Sequence, residues 1–355
     1  MTAFAHRSLL LPRGQRPYSA SGWADGLAGA SRGRPQYPGL LSGYQFRPPW
    51  NVAGVDYRVG VPEGQVLTDW RTAPAINPGW VSPAGLIYLN APTILFQNID
   101  FSLGGGAALY NPNSAGYATS ITLVNCNFNA PVWGQSGYPL LDQNNANITI
   151  MNCTFDALPF LGTGWNAFLA TSGSITLLYN WFKNCPDQIL QSNIIPVSGR
   201  TTTAKYNLYD DMNLTGGAHR NYLQLDSNNV TMGYDVEFNT TYQSRGCDGN
   251  GGEGFQIYSN GTGVVLTNPI LSNNTMIARL GSGLSRPGRP SMSALVHGNA
   301  TGGGTTISGT GQNNHNYFDI SGATSAFYIG TVTPAQGWSS SGNIDMNTGA
   351  AITPA

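Results

Sequence analysis

The residues of this chain best suited to chemistry gather around three glutamines. Asp187 lies just before Gln191, His219 and Arg220 just before Gln224, Asp226 just after it, and Glu253 just before Gln256. Each glutamine sits in a short alternating segment: ILQS (189–192), YLQLD (222–226) and FQIYS (255–259). The steps from Gln191 to Gln224 and from Gln224 to Gln256 are 33 and 32 residues. If these segments stack, the glutamines form a column, and the carboxylates, guanidinium and imidazole collect along one edge. Carboxylates, amides and Arg hydrogen-bond hydroxyl-rich ligands, and Tyr or Trp supplies a stacking face. The predicted site for a glycan is therefore Asp187, Gln191, His219, Arg220, Gln224, Asp226, Glu253 and Gln256. The plainer alternative is a set of loop residues in water. Catalysis needs an acid and a base at a set separation, so no residue is assigned a catalytic role.

Other motifs carry less. Asp235 and Glu237 are two apart and share one face of a strand, whereas the adjacent Asp210 and Asp211 point opposite ways. GNGGEG (249–254) fits a dinucleotide fingerprint in letters only, because FQIYS, a strand-like run, follows it where a helix is required. His6, His219, His297 and His315 show no ligand spacing, and there is no C-x-x-C pair. No metal and no cofactor is predicted. Cys126 and Cys153 stand 27 residues apart, at a spacing that suits either a buried thiol stack or a disulfide.

The same spacing of 27 governs the elements that must position these groups. Ile94, Ile121, Ile148, Ile175 and Thr202 form one column, and Phe101, Phe128, Phe155, Phe182 and Tyr209 form another. The segments read TILFQNIDF, SITLVNCNF, NITIMNCTF, SITLLYNWF and RTTTAKYNLY. A fixed period of this size marks a solenoid, and strand-like repeats wind as a parallel β-helix. Asn98, Asn125 and Asn152 share one corner column, and Asn180 and Asn207 share the next. Asparagines so placed can hydrogen-bond from winding to winding and tolerate a bent backbone. The spacing predicts about eight windings, ending near Ile320.

Composition sets the surroundings. Only 9% of residues are charged, against about 25% in ordinary domains. Neutral Asn, Ser and Thr can ladder between stacked strands without repulsion. Residues 1–75 differ: they hold eight of the 16 basic residues, with Pro, Gly and aromatics in runs such as GRPQYPG and FRPPWN. They read as an extended attachment arm and N-terminal cap, with a capping strand or hairpin over Val52–Asp69. Residues 76–330 read as the β-helix and 331–355 as a C-terminal cap and tail. The two lysines, Lys183 and Lys205, make no basic stripe, so nucleic acid is not an expected partner. No run is apolar enough for membrane insertion. The start, MTAFAHRSLLLPRGQ, holds a three-leucine run broken by Pro12, short of the about 7–15 apolar residues of a secretory segment.

The strand columns, the Asn ladder and the winding length resemble the right-handed parallel β-helix proteins of the pectin-lyase-like superfamily over about residues 80–330. GEGFQIYSNG and NPILSNNTMIA resemble segments of uncharacterised bacterial and prophage β-helix proteins. The resemblance implies an all-β, right-handed solenoid. It implies a function among polysaccharide lyases, glycoside hydrolases, adhesins and phage tailspikes. No clustered Asp with an Arg or Lys base matches the lyase pattern, and N-x-D and R-x-K do not occur in the order of the polygalacturonase-like branch, although Asp210–Asp211 is present. With the charge-poor rod and the distinct arm, the expectation is a virion structural protein: a phage head decoration, fibre or tailspike, at the virion surface. Its expected partners are other virion proteins through residues 1–75, itself as a homotrimer, and cell-surface polysaccharide. The alternatives are a polysaccharide lyase or glycoside hydrolase, and an extracellular or cell-surface location.

Overall fold

The computed structural model describes residues 32–128, 138–157, 168–184, 189–192, 199–212, 221–227, 230–244, 254–259, 264–278, 306–319 and 337–353. Among these residues the chain is all-β, with three long all-parallel sheets, two of ten strands and one of seven. This is the arrangement of a β-helix. Thr93–Gln97 lies in the first sheet, the chain turns at Asn98, and Ile99–Asp100 lies in the second. After a 3₁₀ turn at Leu103–Gly105, Ala108–Asn111 lies in the third sheet. Ser120–Val124 then returns to the first, directly beside Thr93–Gln97.

The columns read from spacing are rows of strand partners. Ile94, Ile121, Ile148, Ile175 and Thr202 pair in succession. Phe128, Phe155, Phe182 and Tyr209 do the same on the second sheet. Alternation explains why these segments are strands: in Ser120–Val124 the second and fourth residues are buried and the others half-buried. From Phe101 through Phe128, Phe155 and Phe182 to Tyr209, the ring centroids are 4.7, 4.7, 5.1 and 5.4 Å apart. These steps follow the inter-strand distance of about 4.8 Å. Each such buried ring contributes about 1.5–3 kcal/mol, repeated along the axis.

The corner between the first and second sheets is a second regularity. Asn98, Asn125 and Asn152 hold left-handed backbone, with φ of 55°, 51° and 53°. Tyr179, Tyr206, Phe238, Asn273, His315 and Gly342 continue the series with φ of 58°, 61°, 57°, 60°, 56° and 64°. Asn and Gly accept this conformation readily. The three aromatics do not, and instead they stack: Tyr179 on Tyr206 at 4.9 Å, Tyr206 on Phe238 at 5.3 Å. One residue further on, Asn180, Asn207, Asn239, Asn274, Asn316 and Asn343 form a buried ladder. Each accepting Oδ1 takes the backbone N–H and the Nδ2 of the Asn before it, at 2.9–3.1 Å. Cys126 and Cys153 head this column as buried free thiols, with the Cys126 N–H donated to Cys153 Sγ at 3.3 Å.

The described part of segment 1–75 lies on the rod. Residues 32–66 form a doubled strap along the outer face of the second sheet. Its outgoing and returning limbs are joined by Tyr37 N–H to Gly54 O at 2.7 Å and by Gln36 Nε2 to Val59 O at 2.6 Å. The bend reaches the last winding, where Phe46 N–H donates to Met346 O at 3.1 Å. The return limb comes back as far as Thr154, whose hydroxyl accepts from Val61 N–H at 3.0 Å. Leu40, Leu41, Trp50, Val52 and Val55 are buried against Ile277 and Met346, and Ala53 and Val59 against Leu208. Over Val52–Asp69 a strand forms only at Thr68–Asp69, which opens the second sheet beside Ile99–Asp100. At the other end Trp338–Ser341 and Ile344–Asp345 still extend the first and second sheets.

Candidate functional site

The third sheet carries the predicted glycan residues. Its inward row is Ile87, Leu109, Leu140, Leu169, Ile189, Leu223 and Phe255, all buried. The next row is Tyr88, Tyr110, Leu141, Ala170, Leu190, Gln224 and Gln256, in register. Gln224 and Gln256 are therefore direct neighbours, as their spacing predicts.

Gln191 is not in that row. It pairs with Leu225, one position off, while Leu190 pairs with Gln224. The expected three-glutamine column is thus corrected to two. The reason is winding length: once loops depart from the 27-residue period, equal letters no longer mean equal register. Gln191 belongs instead to the row of Asn111, Asp142 and Thr171. Asp226 pairs with Ser192 and Tyr258. Asp187, His219, Arg220 and Glu253 lie outside the described residues, in segments leading into Ile189–Ser192, Asn221–Ser227 and Gly254–Ser259. Those three strands are consecutive neighbours in the sheet.

The row one position on contains a polar group that spacing did not reveal. Asp142 is fully buried, and its oxygens accept from Asn111 Nδ2 at 2.6 Å, Thr171 Oγ1 at 2.6 Å, Asn144 N–H at 3.1 Å and Ala146 N–H at 3.0 Å. Burial raises its pKa, and the donated hydrogen bonds oppose the rise. The steps 111, 142, 171 are 31 and 29, which no constant period would find. Satisfied on every side, Asp142 is a structural tie between windings.

Two further clusters contain charge. On the first sheet Lys205 Nζ lies 2.7 Å from Asp235 Oδ2 and 2.8 Å from Glu237 Oε2. The i, i+2 carboxylates do share a face, and the lysine of the preceding winding bridges them. On the second sheet Asp156, Lys183, Asp210 and Tyr242 form one row. Lys183 Nζ pairs with Asp156 at 2.8 Å and sits 4.2 Å over the Trp181 ring. Asp210 Oδ2 accepts from Tyr37 Oη of the strap at 2.6 Å and from Trp181 Nε1 at 3.1 Å. Burial pushes its carboxyl up to about 6. The strap covers this acid, so the arrangement is a closed contact, not an open pocket. Asp211 turns the other way and accepts from Ser244 N–H at 2.6 Å and Ser244 Oγ at 2.8 Å.

Among the described residues no group of three or more His, Cys, Asp or Glu is placed to hold a metal ion. No helix among them is long and apolar enough to cross a membrane. No protein-family model, curated protein or solved structure matches the chain.

Proposed function

We propose that this chain is a virion structural protein, a head decoration, fibre or tailspike subunit, whose right-handed β-helix lays the outer face of its third sheet on cell-surface glycan. The observation that supports this reading is the outer row of that sheet. Half-buried Tyr88 and Tyr110 stand at one end, their ring centroids 5.5 Å apart, and the Gln224–Gln256 pair stands at the other. Seven strands at a spacing of about 4.8 Å make a row of about 29 Å, the length of several sugar units. Tyrosine rings offer a stacking face, and amides donate to and accept from hydroxyls. Asp226 is on the same strand as Gln224, and on this reading it adds charge-assisted hydrogen bonds, as do the expected residues Asp187, His219, Arg220 and Glu253, which lie outside the described residues.

A glycan array probed with the full chain tests the reading, with Tyr110→Ala and Gln224→Ala as variants. Expected are binding to a bacterial surface polysaccharide and a loss of about tenfold or more in each variant, about 1.4 kcal/mol. Absence of binding across a broad panel, or binding by both variants as tight as that of the native chain, overturns it. Release of oligosaccharides from the same panel would replace it by a polysaccharide lyase or hydrolase. The virion location is tested by labelling particles from the source; a chain found only free of particles removes it. The homotrimer is tested by mass in solution, and one subunit per particle contradicts it.

A further inference from the structure

The outer face of the second sheet is where the rod and the strap meet, and their contact is uneven in kind. Toward the last winding it is apolar, with Leu40, Leu41, Trp50 and Ile277 buried together. In its middle it is polar. Tyr37 Oη donates to Asp210, and the Tyr37 ring stands edge-on to Tyr242 at 5.0 Å. Thr240 and Thr275, on the same face, bury hydroxyls that have no hydrogen-bond partner. At the end of the strap Val66 is 82% exposed, and the strand pairing that follows begins only at Thr68. A segment so attached can lift as a unit while the windings beneath keep their own ladders.

We propose that the strap over residues 32–66 is a proton-linked latch. Its closed state buries Asp210 under Tyr37 and is favoured when Asp210 is protonated; ionisation of Asp210 favours lifting. The groups facing this carboxyl are few. Tyr37 comes from the strap, Trp181 and Lys183 from the preceding winding, Asp211 from its own chain, and Tyr242 from the following winding. Tyr37, Trp181 and Lys183 stabilise the ionised form and Asp211 opposes it, but burial outweighs them and holds the group at about 6. Once the strap lifts, water reaches the carboxyl and its affinity for a proton falls toward that of an ordinary aspartate. Closure therefore takes up a proton. Since the closed-state pKa is the higher one, stabilisation of the closed state is full below the ordinary aspartate value and is lost as pH rises through the closed-state value. Lifting exposes the row of Lys183, Asp210 and Tyr242 with Trp181 beside it, a surface of aromatic and charged groups that the closed strap withholds. This inference rests on the strap contact alone and is independent of any glycan on the third sheet.

Hydrogen exchange of the full chain, followed through peptides covering 36–61, tests it. Rates corrected for intrinsic chemical exchange should show the strap opening more at pH 8 than at pH 5 by about tenfold, because pH 5 lies between the ordinary aspartate value and the closed-state value of about 6. Peptides from Ser120–Val124 and Asn147–Met151 serve as the internal reference and should not change in parallel. Asp210→Asn, which cannot ionise, should abolish the difference. Tyr37→Phe, which removes the donor but leaves the acid, should keep the pH dependence and open more at both values. Equal protection at pH 5 and pH 8 in the native chain overturns the latch. So does an unchanged pH dependence in Asp210→Asn. If that variant does not fold, loss of the pH dependence in Tyr37→Phe overturns it instead.

Discussion

Tyr206 lies flat on Tyr179, with ring centroids 4.9 Å apart and an interplanar angle of 10°, while both residues hold a left-handed backbone. Such a backbone costs a non-glycine residue about 1–2 kcal/mol, so the stack must return more than that. Phe238 covers the far side of Tyr206. The strap completes the arrangement: Arg32 sits 4.3 Å over Tyr179, Tyr57 meets it edge-on, and Trp50 meets Phe238 edge-on.

Replacing Tyr206 by Asn separates the two contributions. Asn tolerates the backbone and removes both ring contacts, each worth about 0.5–1.5 kcal/mol beyond burial. The expected result is a net loss of about 1–2 kcal/mol in urea unfolding, together with faster exchange of the strap. A more stable variant would mean that strain, not stacking, dominates this corner.

Asn207 gives a larger and differently caused effect. Its Oδ1 accepts from the backbone N–H and Nδ2 of Asn180, and its Nδ2 donates to Leu177 O and Asn239 Oδ1. Asn207→Ala leaves at least two of these groups buried without partners, at about 1–3 kcal/mol each. A loss of about 3–5 kcal/mol is expected. Asn125→Gly, which keeps the left-handed backbone of the half-buried outer column and removes the one bond to Asn98, should cost under about 1 kcal/mol. Equal losses in the two variants would contradict the division of labour between the columns.

Where the period was constant, the sequence carried the architecture almost directly. Five windings of 27 residues turned Ile and Phe columns into strand partners, and both Asn columns were visible as letters. The glutamine row failed at Gln191 because a step of 33 says nothing about which strand position meets which: Gln191 meets Leu225, and Leu190 meets Gln224. The strap was invisible for another reason. Tyr37 meets Asp210 across 173 residues and Tyr44 donates to Asp319 across 275. No periodic signal encodes a contact between an aperiodic segment and a periodic one. The aromatics in residues 32–66 were the available sign that this stretch would be buried, and they are the residues that dock.

At Gly54 the strap lies tight against the rod. The φ of this residue is +75°, and a Cβ there would stand 2.6 Å from Leu208 Cδ2. Gly54→Ala combines an unfavourable backbone conformation, about 1 kcal/mol or more, with a clash against a buried leucine. The strap should loosen while the windings keep their strand signal. Protease nicking within 32–66 with unchanged far-ultraviolet circular dichroism checks this. Loss of the strand signal would show that the rod cannot stand without its strap.

Asp142 tests whether buried carboxylates here act as acceptors. All four of its partners are donors: Asn111 Nδ2, Thr171 Oγ1, Asn144 N–H and Ala146 N–H. Asp142→Asn keeps the shape but turns an amide NH₂ toward one pair of donors. A loss of about 1–3 kcal/mol is expected, read as a lower urea midpoint with an unchanged slope. A neutral result would mean that the site holds the protonated acid.

Lys205 should be important for charge rather than for packing. Burial lowers its pKa, but Glu237 and Asp235 outweigh that and hold it raised overall. The Glu237 carboxyl is raised, chiefly by burial, with Lys205 pulling it down and Asp235 pushing it up. A carboxyl raised in the folded state contributes stability below its ordinary pKa and loses it as pH rises through the folded value. Lys205→Met removes the downward pull, so this loss becomes larger in the variant. The lysine and glutamate side chains are 24% and 17% exposed, and solvent screening keeps the effect to about 1 kcal/mol at pH 7. As pH falls Glu237, whose carboxyl is raised, takes up its proton, and the difference between variant and native chain at pH 4 should be smaller than at pH 7. Unfolding in urea at the two pH values measures it. An equal deficit at both would assign the role of Lys205 to its aliphatic stem lying on the sheet.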